Sequence, residues 1–276
     1  MHFPRLPDWL IYVAAVLALL VAAVGRQERA DAPQAPPPVP GEAGVPLSAF
    51  LPFDPARIVT LPRQTQPRSG TAFSVSDSGV WLTAAHVLKG CGQVAVVVAP
   101  GRGVAAQAII DPLLDVAVLK TQGGAPALPL GRSADVRSGD RGFHPGFPQG
   151  APGEAASRLL GADELAGAGR GASARPVMAW TEVGRTDGLE GMLDGLSGAP
   201  VLDASGQVVG LTLAEAPRRG RIYSVSPETL RTALAGAGVK PSTVARGEAV
   251  NVENYGRVAD SLRRDLRVAR VVCLTR

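Results

Sequence analysis

The 276-residue chain is poor in aromatic residues, histidine and cysteine, and each shortage narrows the kind of protein that it can be. Aromatic residues make up 4% of the sequence, too few to interleave with the basic face typical of a nucleic-acid-binding protein. Much of the net charge of +4 lies in the tail, where residues 241–276 carry seven arginines against four acids. We interpret this excess as a solvated helix face and expect no nucleic-acid partner.

The three histidines and two cysteines form no cluster with the spacing of a metal site. We therefore expect neither a bound metal nor another cofactor. His2 precedes an apolar segment, which leaves His86 and His144 as candidate general bases. Cys91 and Cys273 can be interpreted in two ways, as one disulfide in an exported chain or as two buried thiols. We expect the disulfide.

Residues 9–24 form an apolar run of sixteen residues without a charge. A spanning helix needs about 20 residues, and the apolar part of a signal peptide about 7–15, so the run falls between the two. We expect residues 1–30 to hold an uncleaved single-pass transmembrane helix. The alternative is a signal peptide cleaved near residues 23–25, which would release the protein.

The rest of the chain divides by composition. Residues 31–46 contain six prolines and predict an extended linker without a core. A folded domain is expected over residues 47–240, followed by a C-terminal extension over residues 241–276.

Short apolar runs separated by turn residues fill the folded domain and predict an antiparallel all-β sandwich or barrel. These runs cover residues 57–61, 70–76, 79–85, 93–99, 105–110, 115–120, 200–203, 207–213 and 221–226. Residues 140–192 have weak periodicity and predict two or three short strands with long loops. Apolar residues at helical spacing from Tyr255 to Leu266 predict a helix, and residues 268–274 predict a final strand.

Three positions combine residue types suited to nucleophilic catalysis. His86 ends an apolar strand after small residues, and Asp115 opens another strand, where its carboxylate could orient an imidazole. Asp111, before a proline, is better suited to capping a turn. Ser197 stands in the sequence GLSGAP, where glycines allow a tight turn and the N–H groups of Gly195 and Ser197 could together bind an oxyanion.

The motifs TAAH, DVAVL and GLSGAP, in the order His, Asp, Ser, resemble those of the chymotrypsin-fold serine peptidases. GTAFSVSDSGVWLTAAHVL, GFPQG, SGAPVLDASGQVVGLT and RIYSVSPETL are similar to the bacterial Deg/HtrA branch, and the resemblance covers about residues 50–236. It implies two six-stranded antiparallel β-barrels with the active site between them. About 36 residues follow Lys240, too few for the PDZ domain that this branch usually carries.

Carried over residue by residue, the resemblance implies a catalytic triad of His86, Asp115 and Ser197, with the oxyanion donors on Gly195 and Ser197. The expected activity is that of a serine endopeptidase acting on proteins or peptides, anchored in a bacterial inner membrane and facing the periplasm. The alternative is a catalytically silent peptidase-like domain that binds peptides or partner proteins.

Two departures from the family pattern concern regulation and specificity. Leu196 stands where digestive peptidases carry the aspartate that pairs with a newly cut N-terminus, so we expect no activation of that kind. The walls of the substrate pocket are expected to include residues without an acidic group, which favours a small or medium apolar substrate residue. These residues are Gly191, Met192, Leu213 and Ser224.

Overall fold

The computed structural model describes residues 9, 14–18, 58–60, 69–165, 175–216 and 220–274. The chain divides into two compact units, residues 1–30 and 31–276. In the first unit, residues 9 and 14–18 are helical. No helix within the described ranges is both long enough and apolar enough to cross a bilayer. The rest of the expected anchor and the linker at 31–46 lie outside the described residues.

The second unit is built mainly from antiparallel strands. The strands are β1 (Ile58–Thr60), β2 (Ser69–Ser76), β3 (Val80–Ala84), β4 (Gln93–Ala99), β5 (Arg102–Asp111), β6 (Val116–Thr121), β7 (Arg141–Gly146), β8 (Gly153–Leu165), β9 (Arg175–Arg185), β10 (Pro200–Leu202), β11 (Val208–Ala216), β12 (Arg221–Val225) and β13 (Val268–Leu274). The α-helices are α1 (Pro227–Gly236) and α2 (Tyr255–Arg264). The strand runs and the helix predicted from Tyr255 to Leu266 occur at the expected places.

Six strands close the first barrel in the order β5-β4-β13-β2-β3-β6, because β6 pairs back with β5. β1 pairs with β5 outside this ring. Phe73, Trp81 and Leu119 are fully buried. Trp81 and Leu119 lie opposite each other on β3 and β6 and share one face of the sheet, whereas Phe73 lies opposite Leu82 on the other face. Closure gives each strand of the ring a partner on both sides, and β1 is added at the edge of β5.

The second barrel closes in the order β10-β11-β12-β9-β8-β7. Trp180, Val201 and Ile222 are buried without measurable exposure and pack together in its core. The expectation of two six-stranded antiparallel barrels is therefore confirmed.

The hairpin of β8 and β9 differs from the sequence expectation of short strands. β8 has 13 residues and β9 has 11, and they pair along their length. The register shifts at Ala156/Ser157 and again at Leu159/Gly161. Each shift moves the inward-facing positions by one residue, which erases the alternation that a sequence pattern relies on.

The C-terminal strand, expected in an extension packed on the domain, is one of the strands of the first barrel. β13 lies between β2 and β4, with Val271 opposite both Gly70 and Val96. The first barrel is therefore completed by the last strand of the described chain. The apolar run of residues 268–274 predicts a strand but contains no information about its partners.

Helix α2 is fixed to the second barrel by a buried ion pair. Arg263 on α2 lies 2.9 Å from Glu154 on β8, and their side chains are 8% and 1% exposed. Burial raises the pKa of Glu154, although the Arg263 charge and hydrogen bond oppose the rise. Arg263 also donates to the carbonyls of Gly146 and Gly153. Removing one partner of such a pair is costly because the other charge stays buried.

The Cys91–Cys273 disulfide joins the segment after β3 to β13 across 182 residues of sequence, as expected. In the chain-entropy model, a loop of this length contributes about 5 kcal/mol by restricting the unfolded state. We expect the double substitution Cys91→Ala and Cys273→Ala to lower the free energy of unfolding by up to that amount in denaturant titrations. Reductant should destabilise the wild type and leave the double variant unchanged. A difference in the free energy of unfolding below about 1 kcal/mol would show that the disulfide adds little to the stability of the domain.

Candidate active site

His86 and Asp115 lie together at neighbouring strand ends of the first barrel. His86 is in a one-turn 3-10 helix that follows β3, and Asp115 directly precedes β6. Since Ala84 pairs with Val116, the two strands bring both side chains to one edge. The His86 ring Nδ1 lies 3.1 Å from Asp115 Oδ2, and the His86 main-chain N–H donates to Oδ1 at 2.9 Å. Asp115 thus fixes the imidazole at two points.

The backbone at Asp115 has a left-handed φ of 55°, which aspartate tolerates better than most residues. The neighbouring Asp111 has the turn-capping geometry suggested by the sequence, because its Oδ1 accepts the N–H groups of Leu113 and Leu114. The two nearby carboxylates therefore have different environments, one capping a turn and one holding a histidine.

A third group reaches Asp115 from the second barrel. Arg175, the first residue of β9, places Nη1 2.8 Å from Asp115 Oδ2, without the alignment of a hydrogen bond. Burial opposes ionisation of Asp115, but the hydrogen bonds and charge of His86 and the charge of Arg175 outweigh it. Together they hold the pKa of Asp115 below its usual value. No local pattern in the sequence points to Arg175, because the contact crosses between barrels.

Ser197 stands in a loop between β9 and β10 that is held against the first barrel. Its main-chain carbonyl accepts the Thr71 N–H at 2.9 Å, and its Oγ donates to the Leu213 carbonyl at 3.1 Å. Gly198 has a φ of 89°, and a Cβ there would collide with the Thr71 carbonyl. The hydrogen bonds of the described residues include none between His86 and Ser197. A serine hydroxyl can reach a new acceptor by rotation of its side chain, and such contacts often form only with substrate bound.

The N–H groups of Gly195 and Ser197 donate to no acceptor among the described residues. The Asp194 carbonyl accepts the Gln149 N–H. In a planar trans peptide the N–H points opposite to the C=O, so the Gly195 N–H is directed away from Gln149. A Cβ on Gly195 would lie 2.5 Å from the Phe147 carbonyl, so the loop needs glycine at this position.

Gln149 holds this loop with its side chain as well. Its Nε2 donates to the carbonyls of Glu190 and Met192, at 2.6 and 3.0 Å. Gln149 has a φ of 53°, a conformation that costs energy for most residues and is stabilised here by three contacts to one loop. We call these three hydrogen bonds the Gln149 clamp. The motif GFPQG marks the segment in the sequence, but the role of its glutamine could not be read from it.

A cavity of about 220 Å³ lies beside Ser197. Of the expected pocket residues, Met192 and Leu213 line it, whereas Gly191 and Ser224 are absent from its walls. Ser224 is buried and accepts a hydrogen bond from the Trp180 indole instead. The lining also includes two carboxylates, Asp194 and Glu215, that the sequence reasoning did not include. Alternation along the strand does not point to Glu215, because the register of β11 shifts between Thr212 and Ala214.

The second candidate base, His144, lies sealed inside the second barrel. Its Nδ1 is 2.9 Å from Thr212 Oγ1 and its Nε2 is 2.7 Å from Ser157 Oγ. Complete burial lowers the pKa of His144 to about 3, so the ring is neutral at physiological pH. The described residues contain no group of three or more His, Cys, Asp or Glu side chains placed to hold a metal ion.

Two antiparallel barrels, with a His–Asp pair on one and a glycine-flanked serine loop on the other, define the class of two-barrel serine peptidases. A trypsin-like peptidase domain matches residues 70–211 of the chain. The chain belongs to the family of trypsin-like peptidases.

The similar proteins fall in the Deg/HtrA branch, as the sequence motifs suggested. HhoA of Synechocystis sp., named as a serine protease, is 29% identical over 191 residues, which cover 66% of this chain and 47% of that protein. A Chlamydia muridarum protein named as a DegP-like periplasmic serine endoprotease is 30% identical over 155 residues, 55% of this chain and 29% of that one. The chain thus spans less than half the length of these curated relatives.

Among solved structures, the active form of the Rv3671c protease from M. tuberculosis has a TM-score of 0.54 to this chain. The two are 24% identical, and the match covers 71% of this chain and 82% of that one. At this level of identity the likeness establishes the shared fold.

The Gln149 clamp predicts a catalytic effect for a change that does not touch the candidate triad. Gln149→Asn keeps an amide and a residue type that tolerates left-handed backbone, but its shorter side chain cannot reach both carbonyls. We expect the rate of labelling by a fluorophosphonate to fall roughly 10- to 100-fold, because a loosened loop would misplace the candidate oxyanion donor on Gly195. The matched control, Gln107→Asn on the exposed side of β5, should label at the wild-type rate. Equal rates for both variants would mean that the clamp does not position the loop.

Proposed function

We propose that this protein is a serine endopeptidase in which His86, Asp115 and Ser197 form the catalytic triad. The observation that carries the proposal is the two-point hold of Asp115 on His86. It fixes which ring nitrogen carries the proton and leaves Nε2 to act as the base. The serine loop with its free N–H groups lies against the same barrel edge and supports this assignment.

Acylation begins when the Ser197 hydroxyl turns from the Leu213 carbonyl to His86 Nε2. The hydroxyl oxygen attacks the substrate carbonyl carbon while His86 takes the proton, and Asp115 stabilises the resulting imidazolium. The carbonyl oxygen becomes an oxyanion that the Gly195 and Ser197 N–H groups stabilise. His86 then gives its proton to the leaving amine nitrogen as the C–N bond breaks.

Deacylation repeats these steps with water. His86 removes a proton from the water, whose oxygen attacks the acyl-enzyme carbonyl. The tetrahedral intermediate collapses, His86 returns the proton to the Ser197 oxygen, and the carboxylic acid product leaves. No cofactor takes part in this scheme, and the substrate is a protein or a peptide.

Leu196 stands where digestive peptidases carry the aspartate that pairs with a cut N-terminus and orders the loop of the oxyanion donors. It is 1% exposed and packs in the core of the second barrel. A leucine cannot pair with a cut N-terminus, so apolar packing of Leu196 and the Gln149 clamp order the loop in its place. Activity is then controlled by the order of the loop and not by cleavage at an N-terminus.

We further propose that residues 9–24 anchor the enzyme in the bacterial inner membrane with its catalytic domain in the periplasm. The apolar sequence, the helical conformation of residues 14–18 and the periplasmic name of one relative support this location. Release into the periplasm after cleavage of a signal peptide is the alternative.

The alternative function is a silent peptidase-like domain that binds peptides. The contact of Ser197 Oγ with the Leu213 carbonyl, away from His86, is the observation that favours it.

Labelling with a fluorophosphonate separates the two functions, since the reagent forms a covalent bond only with an activated serine. The wild type should label, Ser197→Ala and His86→Ala should not, and Asp115→Asn should label about 10⁴-fold more slowly. Ser205→Ala, in an exposed turn, is the matched control and should label normally. A wild type that never labels would favour the binding domain, and labelling of Ser197→Ala would reject Ser197 as the nucleophile.

Fluorophosphonate labelling also tests the proposed location, when the protein is expressed in Gram-negative cells that are then fractionated. The labelled band should stay in the membrane fraction after a carbonate wash and should be degraded when protease is added to spheroplasts. A band in the soluble periplasmic fraction would support cleavage, and protection in spheroplasts would contradict a periplasmic domain.

A further inference from the structure

The cavity beside Ser197 combines apolar walls with a negative charge. Ser197 lines this cavity. If Ser197 is the nucleophile, the side chain that enters the cavity is that of P1, the residue whose carbonyl carbon Ser197 attacks. Met192, Leu213 and Ile222 give the cavity its apolar surface, whereas Glu215 lies in its wall and Asp194 at its exposed rim. A long aliphatic stem with a cationic end matches this arrangement, because such side chains bury the stem and keep the charge near a polar partner.

Glu215 is held in place from inside the protein. Its Oε1 accepts the main-chain N–H of Leu193, which fixes the carboxylate on the cavity wall and leaves the second oxygen for another donor. The side chain is half-buried, so the carboxylate is less screened by water than a surface group would be.

Arg185, the cation whose charge acts on Glu215, is bound to other groups. Arg185 forms a two-point ion pair with Glu182, through Nε at 2.5 Å and Nη2 at 2.7 Å. Its remaining nitrogen donates to the carbonyls of Leu189 and Gly191. Arg185 is therefore engaged with Glu182, and the two carboxylates of the cavity keep an excess of negative charge.

We propose that Glu215, assisted by Asp194, makes this pocket select lysine or arginine at P1. The inference rests on the proposed peptidase function and replaces the apolar P1 residue expected from the sequence. Burial raises the pKa of Glu215, and the charges of Asp194 and Glu182 add to the rise, while the Leu193 N–H and the Arg185 charge oppose it. Glu215 thus takes up a proton at a higher pH than an ordinary glutamate, and the selectivity should weaken on acidification.

The test uses peptides that differ only at P1 and compares kcat/KM for lysine, arginine, glutamine, methionine and valine. We expect the wild type to cleave after lysine and arginine at least about tenfold better than after methionine or glutamine. Glu215→Gln keeps the acceptor for the Leu193 N–H and removes the charge. It should lose at least about tenfold on lysine and arginine and little on methionine. Glu253→Gln, an exposed carboxylate outside the cavity, is the control and should keep the wild-type preference.

The ratio of kcat/KM for lysine to that for methionine adds a pH test, because effects common to both substrates cancel in it. In the wild type this ratio should fall as the pH falls towards the pKa of Glu215, and in Glu215→Gln it should stay flat. An unchanged preference in Glu215→Gln, with fluorophosphonate labelling intact, would overturn the specificity proposal alone. A wild type that neither reacts with the fluorophosphonate nor cleaves any of the peptides would overturn the peptidase function on which the specificity proposal rests.

Discussion

Thr71 forms hydrogen bonds that attach the loop of Gly195 and Ser197 to the first barrel. It is fully buried on β2, its N–H donates to the Ser197 carbonyl, and its Oγ1 donates to the Gly195 carbonyl at 2.8 Å. The same Oγ1 accepts the Phe147 N–H at 3.1 Å, and the Thr71 carbonyl accepts the Thr83 hydroxyl at 2.7 Å. Thr71 therefore links three parts of the site. They are the loop that carries Ser197, the segment from Phe147 to Gln149, and strand β3, which leads to His86. Because these groups are buried, leaving any of them without a partner would cost free energy.

The position of Thr71 depends on the last strand of the described chain. Arg270 on β13 pairs with Thr71 across the ladder, and its guanidinium donates to the Gly150 carbonyl beside the clamp. The Cys91–Cys273 disulfide fixes the other end of β13 near the segment that follows His86. Strand β13 thus supports the site from two directions, although it lies far from Ser197 in the sequence.

Features encoded within a few neighbouring residues could be predicted from the sequence. Alternating apolar runs defined most strands, and the motifs around His86 and Ser197 predicted the candidate site, because local chemistry constrains both. Contacts between distant segments could not be predicted in this way. The Arg175 ion pair with Asp115, the Gln149 clamp and the pairing of β13 each join residues whose own surroundings in the sequence contain no sign of the partner. The long β8–β9 hairpin was missed for a different reason, since two bulges break its alternation.

The most direct test of this account compares Thr71→Val with Thr71→Ser. Valine matches the shape of threonine but lacks the hydroxyl, whereas serine keeps it. We expect Thr71→Ser to react with a fluorophosphonate at nearly the wild-type rate. Thr71→Val should react at least about tenfold more slowly while circular dichroism shows the barrels still folded, since the cost of the lost hydrogen bonds falls on the loop. Equal rates for a folded Thr71→Val and the wild type would contradict the claim that Thr71 positions the loop that carries Ser197.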